Sequence, residues 1–165
     1  MTFQYEIDKD TYVACQILYH KARGDLAKMW KGAAFWSLLG VSMMVVACSA
    51  PEMSWVSALL FLNGTVWTYS GLRVCLPNRY FAKHYHGTNL AGKQFTADLN
   101  PERLEVTGNH ARWGVKWPGV TIKQEDKSAF AFYSDETAVI YMFGKKYLSI
   151  EEQQQIRLFA GMSGN

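Results

Sequence analysis

The sequence predicts an α+β membrane protein: a transmembrane helical hairpin joined to a small antiparallel β domain that closes with a C-terminal helix. Three observations carry that expectation. Two runs, Gly32–Ala50 and Met53–Leu72, hold no charged residue, and only Pro51 and Glu52 part them. From about Lys93 the pattern changes to short alternating runs punctuated by turn residues. Ser149 and Glu152 then have the spacing of a helix capping box.

The chain opens with Thr2–Ile7, where Phe3, Tyr5 and Ile7 alternate with polar residues as in a half-buried strand. Asp8 and Asp10 supply capping carboxylates for a helix starting near Thr11. Along it Tyr12, Cys15, Leu18, Tyr19, Ala22, Leu26 and Met29 recur at three- and four-residue intervals. The helix is expected to weaken at Gly24 and to continue into the first span. Its stripe suits either a packing face on the soluble side or contact with headgroups.

Each charge-free run approaches the roughly 20 residues that a helix needs to cross a bilayer core. Phe35, Trp36, Leu38, Leu39, Val41 and Met43–Val46 surround the first one, whereas a surface helix keeps a polar face. Lys21, Arg23, Lys28 and Lys31 precede the pair, and Arg73, Arg79 and Lys83 follow it. The Pro51–Glu52 turn has no Lys or Arg. Positive flanks stay cytoplasmic, so a multi-pass inner-membrane protein with both termini in the cytoplasm is expected. Trp30, Lys31, Trp36, Trp55, Trp67, Tyr69, Arg73 and Arg79 are the interface anchors of that arrangement. Within the second span Asn63, Gly64, Thr65 and Thr68 are small or polar. Asn63 is expected to tie the two spans together or to support a homo-oligomer. Neither span contains Asp, Glu, Lys, Arg or His, which argues against a pump or channel.

After the spans, Leu76-Pro77-Asn78 ends the second helix. The expected organisation is 1–31 for the strand and juxtamembrane helix, 32–72 for the hairpin, 73–92 for a linker and 93–161 for the β domain. Strands are expected at Gln94–Leu99, Arg103–Thr107, Ala111–Trp117, Val120–Gln124, Ala129–Tyr133 and Ala138–Phe143. Asn100-Pro101, Gly108-Asn109 and Pro118-Gly119 mark turns between them. Ile156, Phe159 and Ala160 form the inner face of the final helix, which Gly161 ends. A curved antiparallel sheet closed by such a helix is the plan of a pleckstrin-homology (PH)-like domain.

This order of parts resembles the YcxB-like family of small membrane proteins over most of the chain. The resemblance rests on Phe3-Gln4-Tyr5-Glu6-Ile7, Asp10–Tyr12, the paired spans and the stretch from Leu99 to Phe159. In that stretch the landmarks are Leu104-Glu105-Val106, Trp117 with Val120, Phe130-Ala131-Phe132-Tyr133, and Lys145-Lys146-Tyr147-Leu148 before Ser149-Ile150-Glu151-Glu152. It implies a membrane hairpin with a cytoplasmic PH-like domain and no assigned catalytic residues. Gly144 stands where the family would have proline, so a looser turn is expected there.

Little in the sequence points to catalysis. Ser, His and Asp occur, but in no nucleophile elbow, and there is neither a phosphate loop nor a dinucleotide fingerprint. Cys15, Cys48 and Cys75 are too scattered for a metal knuckle and read as free thiols. His84 and His86 form an i, i+2 pair, on a strand if they are to share a metal, with no third ligand nearby. Glu125-Asp126 and Asp135-Glu136 read as solvated hairpin turns. No enzyme activity, cofactor or metal is expected.

The 17 Lys plus Arg exceed the 14 Asp plus Glu chiefly at the membrane flanks, so the positive balance fits a lipid bilayer and no nucleic-acid partner is expected. Lys145, Lys146, Arg112 and Lys116 are the cations from which a headgroup pocket would have to be built. The leading expectation is a protein that binds a protein partner at the membrane, in its concrete form an immunity protein neutralising a toxin. Arg112, Trp113, Lys116 and Trp117 are the candidate partner-binding residues, because Trp and Arg are frequent interface anchors. The alternatives are a lipid-sensing or regulatory module and, behind it, a transporter or channel subunit.

Overall fold

The computed structural model describes residues 1–50, 54–74, 76–88, 90, 92–108 and 111–162, without the side chains of Arg73 and Val74. The expected Pro51–Glu52 turn, Cys75 and Asn109 lie outside the described residues. The chain is α+β. Its elements run β1 (Thr2–Glu6), α1 (Lys9–Ala22), α2 (Asp25–Cys48), α3 (Trp55–Val74), α4 (Pro77–Tyr85), β2 (Gln94–Leu99), β3 (Arg103–Thr107), β4 (Arg112–Lys116), β5 (Val120–Glu125), β6 (Ala129–Ser134), β7 (Val139–Gly144) and α5 (Ile150–Ala160). They form two compact units, Met1–Arg23 with Phe81–Asn165, and Gly24–Tyr80.

In the first unit the strands make two antiparallel sheets, ordered β1-β2-β3-β4 and β5-β6-β7. The six strands expected after the spans are all present, each within about a residue of its expected ends. The opening strand joins them by pairing with β2, Phe3 opposite Ala97 and Tyr5 opposite Phe95. The β domain therefore includes the first residues of the chain, which sequence distance conceals. Phe130, Phe132, Phe143, Leu99, Leu104 and Ile156 are fully buried at its centre. Phe143 packs edge-on to both Phe3 and Tyr5.

Asp8 caps α1 by accepting from the Thr11 amide at 3.0 Å. Thr11, Tyr12, Cys15, Leu18 and Tyr19 are its buried residues, and α1 packs on β5, β6 and β7. The stripe is thus a packing face. The Cys15 thiol donates to Phe130 O, and burial pushes its pKa well above the ordinary thiol value. One expectation fails here: the helix does not continue into the first span. Gly24 takes φ +72°, where a helix cannot propagate, and α2 starts anew at Asp25. The Ser149–Glu152 capping box forms as expected, and Gly161 closes α5 in the left-handed region.

Gly144 ends β7 and is buried. A Cβ there would collide with the Thr11 side chain, so close approach to α1 accounts for the glycine. The following turn is not loose, because Lys145 N donates to Ser128 O at 2.8 Å and Leu148 N to Lys145 O at 3.1 Å. Pro77 opens α4, where its missing N–H costs nothing, so helix resumes where a linker was expected.

In the second unit α2 and α3 pack through small residues. A Cβ on Gly40 would lie 2.6 Å from Gly64 O and 2.7 Å from Thr68 N, and one on Gly71 would lie 2.7 Å from Ala33 O. Gly40 meets Gly64 and Thr68, whereas Ala33 meets Gly71, so the helices run antiparallel. With 24 residues, α2 is long and apolar enough to cross a membrane, and among the described helices it alone meets that criterion. Asn63, Thr65, Thr68 and Ser70 dilute the apolar character of α3. Asn63 does not tie the helices together: its Nδ2 donates to Leu59 O of its own helix at 2.9 Å, and its side chain is exposed.

Candidate functional site

The first unit contains a cavity of about 390 Å³ between the inner face of the first sheet, β7 and α1. Tyr5, Phe95, Val106 and Trp113 supply one residue from each strand of that sheet, and Tyr5 and Phe95 pack at 5.8 Å. They meet in the cavity because the antiparallel register sets Tyr5 opposite Phe95 and Val106 opposite Trp113. Tyr12 and Gln16 of α1 and residues of the β7 segment, among them Ile140, Tyr141 and Met142, form the facing wall, and Thr88 and Leu90 also contribute. No charged side chain is among the lining residues described. Burial raises the Tyr5 and Tyr141 phenols above their ordinary value, so both stay neutral. The cavity thus offers an aromatic, uncharged pocket open to the surface and suited to an apolar group.

The four expected partner-binding residues do not share one surface. Side chains alternate across β4, so Arg112, Gly114 and Lys116 are exposed while Trp113 turns toward the cavity and Val115 is buried. Arg112 and Arg103 both pair with the buried Glu105 of β3, which sits opposite Gly114. Trp117 is corrected to a core residue. It is 5% exposed, its Nε1 donates to Asn100 O at 2.7 Å, and its ring meets Phe132 edge-on at 5.5 Å. Of the four, Trp113 alone lines the cavity.

Of the cations considered for a headgroup pocket, Lys145 and Lys146 are each engaged by a carboxylate. Glu125 accepts from Arg157 Nε and Nη2 at 2.7–3.1 Å and from Lys145 Nζ. Both cations lie over the ring of the buried Phe130. Hydrogen bonds from Arg157 and then Lys145 hold the Glu125 carboxyl below the usual range against the effect of burial. Glu125 is therefore not a solvated turn residue, although Asp126 is a turn residue as expected, accepting from Ser128 and Ala129 N–H groups. Lys146 pairs with Asp8. Burial alone would raise Asp8, but Lys146 and Thr11 outweigh it and lower its pKa.

His84 lies in α4 and His86 just beyond it, not on a strand, so i, i+2 spacing does not put them on one side. Among the described residues no three His, Cys, Asp or Glu come together as a metal site.

In the second unit Trp30, Trp36, Trp55, Trp67 and Tyr69 are all exposed to a third or more, as are Lys31 and Arg79. Trp36 and Trp67 pack on each other at 4.4 Å, and Trp55 stands at the far end of the hairpin. The Arg73 side chain lies outside the described residues.

The cavity residues other than Trp113 carried no signal as a site in the sequence. An apolar residue lining a cavity has the same pattern as one packed in a core. No protein-family model matches the chain, and no curated protein matches it in sequence.

Proposed function

We propose that this chain is a non-enzymatic, multi-pass inner-membrane protein whose β domain binds a protein partner at the cytoplasmic surface. The observation that carries this reading is the uncharged aromatic cavity, whose about 390 Å³ matches one or two large apolar side chains inserted as anchors. Trp113, half-buried on β4, is the partner-facing member of its wall. The hairpin fixes this domain to the bilayer: α2 has the length and composition of a span, and α3 is charge-free from Trp55 to Leu72 and packs tightly along it. With basic residues on both outer flanks, the two ends belong in the cytoplasm.

The four-plus-three strand order followed by a helix supports a PH-like plan for this domain. In its most specific form the partner is a toxin that acts at the membrane, and the chain is its immunity protein. The lipid-sensing alternative is less well supported, because Arg112, Lys145 and Lys146 are each engaged by a carboxylate.

Affinity purification of the tagged full-length chain from mild detergent, followed by mass spectrometry, tests the reading. A stoichiometric partner is expected, and Trp113→Glu, which sets a charge at the cavity wall, should release it. Repeated recovery of the chain alone overturns the proposal, as does a partner indifferent to Trp113→Glu.

A further inference from the structure

The outer side of α3 carries a second regular pattern. Val56, Leu59, Asn63, Val66 and Ser70 recur at alternating spacings of three and four residues, the repeat of a coiled-coil seam with Asn63 at its centre. All five side chains are exposed. They lie on a different side of the helix from Gly64, Thr68 and Gly71, which pack on α2. A groove of about 430 Å³ lined by Trp36, Trp67, Val66 and Ser70 adjoins this side and leaves room for an approaching helix.

Asn63 is eight residues from Trp55 and eleven from Val74. At about 1.5 Å per residue that is roughly 12 Å from the Trp55 end, close to the middle of a hydrocarbon core about 30 Å thick. One amide N–H goes to Leu59 O; among the described residues nothing donates to Oδ1. An amide facing lipid there has no water to satisfy it. A side chain carrying both a donor and an acceptor is complementary to its own copy across a two-fold axis.

We propose that Val56, Leu59, Asn63, Val66 and Ser70 form a homodimer face on which two copies of α3 meet, with the two Asn63 amides hydrogen-bonded to each other. The face rests on the hairpin's being in the membrane but not on the cavity or its partner. It presents Val, Leu and Ser about one central polar pair, and a single polar residue at such a seam fixes a two-stranded register.

Cysteine cross-linking of the full-length chain in native membranes tests it. Cys48 and Cys75 are replaced by serine, and the buried Cys15 is left in place. Single cysteines at Val56, Leu59, Val66 or Ser70 should give homodimer adducts on copper-phenanthroline oxidation. Cysteines at Ala58, Thr65 or Leu72, on the opposite flank, should not. Asn63→Val should weaken association about three- to twentyfold, the range of a single interhelical polar contact, and Asn63→Gln should restore most of it. Adducts independent of position, no adducts, cross-links to another protein in their place, or an unaffected Asn63→Val overturn the proposal. A carbonate wash of the same membranes separates the two failures. A chain that is released refutes the anchoring and the dimer with it, whereas one retained without adducts refutes the dimer alone.

Discussion

Replacing Trp117 by alanine separates a core role from a surface one. An indole buries on the order of 200 Å², and Trp117 retains only 5% of its exposure. At about 25 cal/mol per Å² the transfer loss is about 5 kcal/mol. Allowing for the alanine methyl and for partial burial in the unfolded chain lowers it to about 3–4 kcal/mol. The lost bond to Asn100 O adds about 1 kcal/mol, since Asn100 is only half-buried and water can take the donor's place. Trp113→Ala, a few residues earlier on β4 and only half-buried, should cost less, about 2 kcal/mol by the same reckoning. Urea titration of the full-length chain in mild detergent, followed by near-ultraviolet circular dichroism, reads both losses. A Trp117→Ala loss below about 1 kcal/mol, or one no larger than that of Trp113→Ala, would refute the packing argument.

Three further outcomes follow from the same geometry. The depressed Glu125 carboxyl contributes stability that is present above its ordinary value of 4.5 and is lost as pH falls through the lower folded value. Glu125→Gln should therefore lose stability at neutral pH and converge with wild type in acid; parallel pH profiles would contradict the pairing. Gly144→Ala should lower the urea midpoint through collision with Thr11, and Thr11→Ala in the same chain should recover most of the loss, which a purely conformational effect of glycine would not allow. Gly71→Val should force α3 off the Ala33 backbone and abolish the exciton signal of the Trp36–Trp67 pair, while Val45→Leu on the exposed side leaves it intact; a signal retained in Gly71→Val would show that the seam is wrongly placed.

Local chemistry was enough for the elements themselves. Period-two alternation marked strands such as Phe3–Ile7, Arg103–Thr107 and Ala129–Tyr133, turn residues separated them from the rest, and Asp8 and the Ser149–Glu152 pair marked two helix starts, because each of these depends on neighbours within a few positions. The absence of charge over Gly32–Ala50 likewise needs no partner to be read. Gly24 was visible as a weak point, but its left-handed backbone, which ends α1, was not.

Relations between distant residues were decided only by tertiary structure. That β1 pairs with β2 across 91 positions from Phe3 to the strand beginning at Gln94, that Glu125 gathers Arg157 and Lys145 over Phe130, and that Glu105 is held by two arginines all depend on which strands become neighbours. The Arg112–Trp117 segment shows the limit most clearly. Its composition suggested one binding surface, but the pleat sends its cations one way and Trp113 the other, and packing against Phe132 removes Trp117 from the surface. The cavity has no counterpart in the sequence, since a void is a failure of distant side chains to meet.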